Sequence, residues 1–339
     1  MKRVGVLFGM EDTFPGALVS RINEMNAGVA AEFVTLGATR MDAAAGYDVI
    51  VDRISHDIPY YRSFLKNAVL GGTRVINNPF WWSADDKFFN YALAARLGVA
   101  IPRTVLLPSN QHPPNTTSRS MRNLHYPLDW KAVFDYVGWP AFLKPHAGGG
   151  WRHVYKCHDE KDFFHYYHLT GDLVMTLQEA VDFKEYVRCY CIGQEKVLVM
   201  HYDPRQPHEN RYVKSPVPLE PALEERIVKD TLTICRVLGY DMNTVEFAVR
   251  DGIPYAIDFM NPAPDADYYS VGAENFAWVV NAMAELAVKR ALEPPGAATE
   301  YRWASLLNGA VEAPAKGKGT VKAAGKAVRT VRSANTAKK

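Results

Sequence analysis

Apolar runs in the first 77 residues alternate with helix-like stretches, whereas those of the second half come in pairs joined by two-residue turns. KRVGVLFG, AEFVTLG, YDVIVDRIS and TRVIN read as strands, with FPGALVSRINEM and IPYYRSFLKNAVLGG as the helices of the same stretch. Such alternation calls for a small parallel sheet with helices on both faces, because each crossover must bury its own apolar face. Later, EYVRCYCIG and KVLVMHYD flank Gly193-Gln194, and TVEFAVR and PYAIDFM flank Asp251-Gly252, a strong type I′ turn signal. The fold class is therefore α/β followed by α+β. At 339 residues the chain is long enough for two or three packed units.

Composition narrows the class further. Hydrophobic residues make up 48% and charged residues 22%, ordinary for a globular protein in water. The opening MKRVGVLFGMED meets two acids too early for a signal sequence and reads as a first strand, and no run of about 18 apolar residues suggests a membrane span. Cys157, Cys189, Cys191 and Cys235 match no zinc or redox spacing. Reduced thiols in a cytoplasmic protein are the expectation.

The net charge of +2 hides an asymmetry. From Pro314 onward lie eight basic residues and no acid, and without them the rest of the chain stands at −6. This tail has too few large apolar side chains to offset its ordering entropy, so residues 309–339 are expected to be disordered. Weak contact with nucleic acid or an acidic partner is within its chemistry, as is plain solvation; the body carries no basic excess.

Around residue 80 a second unit begins. Ser83 with Asp86 forms a capping box before a helix whose apolar stripe is Phe89, Leu93 and Leu97. A strand IPRTVLLP follows, then a long polar loop, and then a short helix between Asp129 and Gly138. ALEERIVKDTLTICRVLG and ENFAWVVNAMAELAVKRAL are the long helices of the second half.

Three clusters could carry chemistry. In FLKPHAGGG, Lys144 ends an apolar strand and a loop almost without side chains follows. Clustered backbone N–H groups at such a tip bind anions, and a phosphate would neutralise the lysine. A plain turn with a snorkelling lysine fits the same residues. In TVEFAVRDGIPYAIDFMNP, Glu246 and Asp258 lie six residues on either side of Gly252, so register decides whether they face each other. Two carboxylates among apolar neighbours resist burial unless a cation lies between them, and with the Asn261 oxygen the set suits Mg²⁺; the alternative is that one carboxylate faces solvent. In TLQEAVDFKEYVRCY, the connector after Gln178-Glu179 offers backbone groups to an adenine edge and a carboxylate to ribose hydroxyls. Separately, Arg53 and His56 follow a strand's carboxyl end, where open α/β sheets bind ligands, although plain loop residues would look the same.

Taken in order, SADDKFFNYALAARLGVAIPRT, AFLKPHAGGGWRHV, QEAVDFKEYVR and VEFAVRDGIPYAIDFMNP resemble the ATP-grasp superfamily of carboxylate–amine and carboxylate–thiol ligases, including D-alanine–D-alanine ligase and glutathione synthetase. The resemblance runs from about Asn78 to Pro264. It implies an N-terminal Rossmann-like domain over 1–80, a central lobe over 81–175 with the glycine loop, and a C-terminal lobe over 176–308 with the metal site. ATP would be clamped between the two lobes. Lys87 and Lys144 would contact its phosphates, and the loop of His146, Gly148, Gly149 and Gly150 would close over them. Gln178, Glu179 and Val181 would line the adenine hinge, with Glu185 on the ribose. Arg188, Arg211 and Lys214 would serve the reacting phosphoryl group, and Glu246, Asp258 and Asn261 would bind Mg²⁺ or Mn²⁺. The family usually has one residue between the last carboxylate and the asparagine. Here Phe259 and Met260 both intervene, so either a ligand is displaced or the strand is bulged.

The implied reaction is ATP- and Mg²⁺-dependent ligation of a small-molecule or peptide carboxylate to an amine. Arg53, His56, Arg152, His153 and the loop 264–275 would face the substrates, the arginines suiting a carboxylate. Dimerisation is common in such ligases. Two alternatives share the fold: an ATP-binding protein without turnover, and a small-molecule kinase.

Overall fold

The computed structural model describes residues 1–80, 86–207, 210–214 and 216–294. The basic tail lies outside them, as does Ser83 of the expected capping box.

The parallel sheet is present. Strands β1 (Lys2–Leu7), β2 (Val29–Phe33), β3 (Val49–Asp52) and β4 (Arg74–Ile76) run in the order β2-β1-β3-β4. Buried Val4, Val6, Val49 and Val51 face helix α1 (Phe14–Glu24) on one side. Leu7, Ile50 and Val75 face α2 (Pro59–Leu70) on the other. Residue alternation in these short strands thus feeds two cores.

A second sheet is antiparallel, in the order β5-β8-β6-β7, from β5 (Thr104–Leu107), β6 (Ala141–Pro145), β7 (Tyr155–Cys157) and β8 (Met175–Glu179). Helices α4 (Trp130–Val137) and α5 (Glu160–Leu169) cover one face with an aromatic core around Phe134, Phe163 and Trp130. Asp129 caps α4 as expected, accepting from the Ala132 N–H at 3.0 Å. No helix or strand occurs between Leu107 and Trp130, in keeping with the long loop read there.

The third sheet, in the order β10-β9-β11-β12, contains both expected hairpins: β9 (Glu185–Ile192) with β10 (Lys196–His201), and β11 (Met242–Arg250) with β12 (Ile253–Asp258). Asp251 and Gly252 both have positive φ, 53° and 71°, as a type I′ turn requires. On one face Val187, Cys189, Cys191, Val245 and Phe247 pack against α6 (Pro221–Leu238) and α3 (Lys87–Arg96). All four cysteines are buried free thiols. On the other face, Tyr190, Ile192 and Met242 share a core with the last described helix, Ala273–Leu292, which also packs on the first sheet. One apolar helix therefore joins the N-terminal sheet to the third.

The reading of α3 needs correction. Asp86 caps it, accepting from the Phe89 N–H at 2.9 Å. Phe89 is 40% exposed, while Lys87, Asn90, Tyr91, Leu93 and Ala94 are buried. The inward face is turned so that Lys87 and Tyr91 point into a cleft, which an apolar-stripe reading cannot register.

Candidate nucleotide and metal site

The second and third sheets enclose a cleft of about 930 Å³, counting space open to solvent. From the second sheet come Phe142, Lys144, Gln178 and Glu179; from the glycine loop, Gly148, Gly149, Gly150, Trp151 and Arg152. The third sheet supplies Tyr186, Glu246, Ala248, Ile257 and Asp258. Val181 and Phe183 line it from the connector between the sheets, and Lys87 from the first turn of α3. The loop is anchored at its base, where the Lys87 N–H donates to the His146 carbonyl and the His146 N–H to the Val174 carbonyl.

Two lysines stand on the cationic side. Lys144 Nζ donates to Gln178 Oε1 at 2.8 Å, and Gln178 Nε2 donates to Thr104 Oγ1 at 2.9 Å. Its hydrogen-bonding partner is therefore neutral. Burial, which outweighs the attraction of Asp258 and Glu246, lowers the ammonium to about 8. Lys87 Nζ stands 3.6 Å from Asp258 Oδ1.

Opposite lie the carboxylates. Glu246 pairs with Asp258 across the β11–β12 ladder, and the register shifts between Glu246 and Phe247. Phe247 pairs with Ala256, so Ile257 is the extra residue of a bulge. Ile257 and Asp258 consequently both face the cleft, while Ala256 and Phe259 lie in the core beneath. Burial pushes the Glu246 carboxyl up, Asp258 adds to this, and Arg188 and a 2.6 Å hydrogen bond from the Tyr186 hydroxyl oppose it. Asp258 Oδ1 is buried without a hydrogen bond. A facing pair of carboxylates, one with a buried oxygen that receives no hydrogen bond and the other raised by burial, fits a hard divalent cation.

The third expected ligand is placed differently. Asn261 does not line the cleft; its Nδ2 donates to the Thr244 carbonyl at 2.9 Å and its N–H to Asn243 Oδ1 at 3.1 Å. Phe259 and Met260 are buried between it and Asp258. Among the described residues no group of three or more His, Cys, Asp or Glu side chains could hold a metal ion.

Other expected residues divide clearly. The Glu179 carboxyl is pushed up by burial but held below its usual range by Arg250 at 2.7 Å and Arg103 at 3.2 Å. That side chain is engaged, leaving the connector's backbone and the apolar slot of Phe142, Val181, Phe183 and Ile257 to meet a flat ring. Glu185 is exposed and lines no part of the cleft. It shares the face of Val187 and Cys189, opposite Tyr186, because strand side chains alternate. The His146 ring lies 3.9 Å from Asp86 and is not part of the lining.

Arg188 stands 3.6 Å from Glu246, and donates to Tyr212 and Thr244 hydroxyls at 3.2 Å each. Arg211 donates to the Gln206 carbonyl and the Tyr202 hydroxyl, its guanidinium 5.9 Å from the centre of the Trp151 ring. Lys214 is exposed and outside the lining. Arg152 lines the cleft, whereas His153 lies 3.4 Å from the Tyr155 hydroxyl instead.

Arg53 overturns the expectation of a carboxylate-binding arginine. Its side chain is fully buried, paired with Glu11, and donates to the Pro264 carbonyl at 2.6 Å. Tyr186, Tyr91, Phe142 and Phe183 were missed by the sequence reading. The available signal for Tyr186 was its position two residues before Arg188, on the same strand face.

Two antiparallel sheets closing on a cleft, behind a parallel sheet at the N-terminus, define an ATP-grasp fold. Neither a family model nor any curated protein matches the sequence. The structure is similar to D-alanine–D-alanine ligase from Bacillus anthracis complexed with ATP, with a TM-score of 0.59 and 14% identity over 86% of this chain and 97% of that one. It is also similar to a RimK domain ATP-grasp protein from Sphaerobacter thermophilus (TM-score 0.58, 15% identity, 86% and 100% covered). A third match is a RiPP-associated ATP-grasp ligase from Chryseobacterium gregarium, in complex with ADP and a leader and core peptide (TM-score 0.58, 14% identity, 87% and 98% covered).

Proposed function

We propose that the protein is an ATP-dependent ligase that joins a carboxylate to an amine through an acylphosphate. The supporting observation is the cleft itself, where Lys87, Lys144 and the glycine loop stand opposite the Glu246–Asp258 pair. Lys144 and Lys87 would hold the phosphates of ATP, and the loop's backbone N–H groups would cover them. The slot of Phe142, Val181, Phe183 and Ile257 would take the adenine, against the backbone after Glu179. A magnesium ion bound by Glu246 and Asp258 would screen the phosphate charge.

The acid's carboxylate oxygen attacks the γ-phosphorus and ADP departs. The amine then attacks the acyl carbon, the bond from that carbon to the bridging oxygen breaks, phosphate departs with the former carboxylate oxygen, and the amine loses a proton as the amide forms. No side chain forms a covalent bond, so positioning and electrostatics are the protein's contribution. Trp151 and Arg152 would extend the glycine loop as a lid that keeps water from the acylphosphate. Arg188 supports Glu246, and Arg211 would meet the lid through Trp151.

Asn261, held by Thr244 and Asn243 away from the lining, favours a second reading: ATP bound without turnover. The test is phosphorus NMR with ATP, magnesium and a pool of amino acids and small carboxylates. Pool-dependent ADP and free phosphate, absent in Lys144→Ala and Asp258→Asn, support the ligase. A stable phosphorylated product with no free phosphate indicates a kinase. ATP binding without turnover across the pool supports the second reading, and no ATP binding removes the proposal.

A further inference from the structure

Tyr91 touches both chain neighbours of Asp258. Its hydroxyl donates to the Ile257 carbonyl at 2.9 Å. Its ring meets the Phe259 ring edge-on, with centroids 5.4 Å apart and planes at 75°. Tyr91 is 2% exposed and lines the nucleotide cleft, so burial on every side holds its orientation.

The carbonyl that Tyr91 meets belongs to the bulge. Ile257 is the extra residue between the Glu246–Asp258 and Phe247–Ala256 pairs, and β12 is the edge strand of its sheet. The stretch that follows α3 supports the same edge, where the Ala256 N–H donates to the Ala100 carbonyl at 2.9 Å. The Ile257 carbonyl and the Asp258 N–H share one planar peptide unit. A donor that fixes the direction of that carbonyl therefore also fixes the backbone from which the Asp258 carboxylate projects.

The same helix face grips the carboxylate itself. Lys87 precedes Tyr91 by one turn of α3, and its Nζ stands 3.6 Å from Asp258 Oδ1. The Lys87 N–H donates to the His146 carbonyl at the base of the glycine loop, at 3.0 Å. One helical turn thus links the loop that would cover the phosphates to the carboxylate that would meet the metal. Lys87 acts on the charge of Asp258, and Tyr91 acts on its direction.

We infer that Tyr91 is a positioning residue for the metal, which by holding the bulge at Ile257 aims the Asp258 carboxylate at the divalent ion that also meets the phosphates of ATP. The inference rests on the ligase reading and deepens it. A small divalent ion holds its oxygens at about 2.0–2.1 Å in near-ideal octahedral geometry, so it tolerates little error in a ligand's aim. Groups that only orient a metal ligand are worth roughly 10- to 100-fold in metal affinity. The Tyr91 hydroxyl should therefore matter to nucleotide binding when the metal is present and not when it is removed.

Tyr91→Phe tests this, because it removes the hydroxyl and keeps the ring against Phe259. ATP is titrated by calorimetry into the full-length protein, once with saturating Mn²⁺ and once with EDTA. The variant is expected to lose at least about tenfold in affinity with Mn²⁺ and to match the wild type in EDTA. The electron paramagnetic resonance spectrum of the protein-bound Mn²⁺ should change with it. Tyr167→Phe is the control for a purely structural role: its hydroxyl donates to the Pro108 carbonyl at 2.6 Å, and Tyr167 does not line the cleft. It should lower the melting temperature and leave both affinities and the spectrum unchanged. Equal losses with Mn²⁺ and EDTA in Tyr91→Phe, no loss in either, or the same loss in Tyr167→Phe would overturn the inference, as would wild-type ATP binding that Mn²⁺ does not strengthen. Wild-type protein that binds no ATP under either condition removes the ligase reading instead, so the two failures are distinguishable.

Discussion

Glu246 and Asp258 face each other across a ladder only because Ile257 is bulged out of it. Without the extra residue, alternation would turn Asp258 away from the cleft and into the core. The bulge preserves a like-charged pair that the apoprotein holds at a cost. Asp258→Asn should weaken magnesium-dependent ATP affinity at least about tenfold. Calorimetric titrations with magnesium and with EDTA check this: an equal loss in both would mean that Asp258 does not act through the metal.

Tyr186 orients the same site. Its hydroxyl donates to Glu246 at 2.6 Å, and a hydrogen bond to a charged group contributes about 1.5–3 kcal/mol. Tyr186→Phe should raise the magnesium concentration needed for half-maximal ATP binding roughly 10- to 100-fold, with metal-free ATP affinity unchanged. A matching loss without metal would assign Tyr186 to the ring slot instead.

Lys144 gives a pH signature. Burial lowers it to about 8 from 10.5, so between those values the unfolded chain binds the proton more tightly and stability rises with pH. Below pH 8 the cost of a buried ammonium is present in full. Phosphates would restore the proton, so ATP binding at pH 8 should take up about half a proton, and less toward pH 7. Titration in buffers of different ionisation enthalpy measures this. Lys144→Met should abolish the uptake, weaken ATP binding and raise the melting temperature at pH 7 by a few degrees.

Arg53 shows where sequence reading stops. Its place after a strand was legible, as were the parallel sheet, both hairpins, the glycine loop and the lysines, because periodicity and turn chemistry are local. Its partner was not: Glu11 lies 42 residues away and Pro264 211 away. Pairing across such separations is set by packing. For the same reason the order of Asn261 and Glu185 in the chain points to the site, whereas a register and an alternation decide which way each faces. Arg53→Met should destabilise the fold by about 3–5 kcal/mol, since Glu11 is left beside a buried site without its partner. Arg53→Met/Glu11→Gln should recover part of that loss in urea denaturation, and strict additivity would show that the two do not act as a pair.

The glycine loop separates conformational need from ligand need. Gly148 has a φ of +88°, where a side chain is strained by about 1–2 kcal/mol whatever the space around it. Gly149 has no such φ, and a methyl group there would meet nothing within 4 Å in the free protein. Gly149→Ala should then leave the melting temperature unchanged or slightly raised, through the lower entropy of the unfolded chain. Yet Gly149 lines the nucleotide cleft, and a methyl group would stand where phosphate must approach the backbone. ATP affinity should fall at least about tenfold in Gly149→Ala. Wild-type affinity in that variant would place the phosphates away from the loop tip and leave Lys87 and Lys144 to hold them alone.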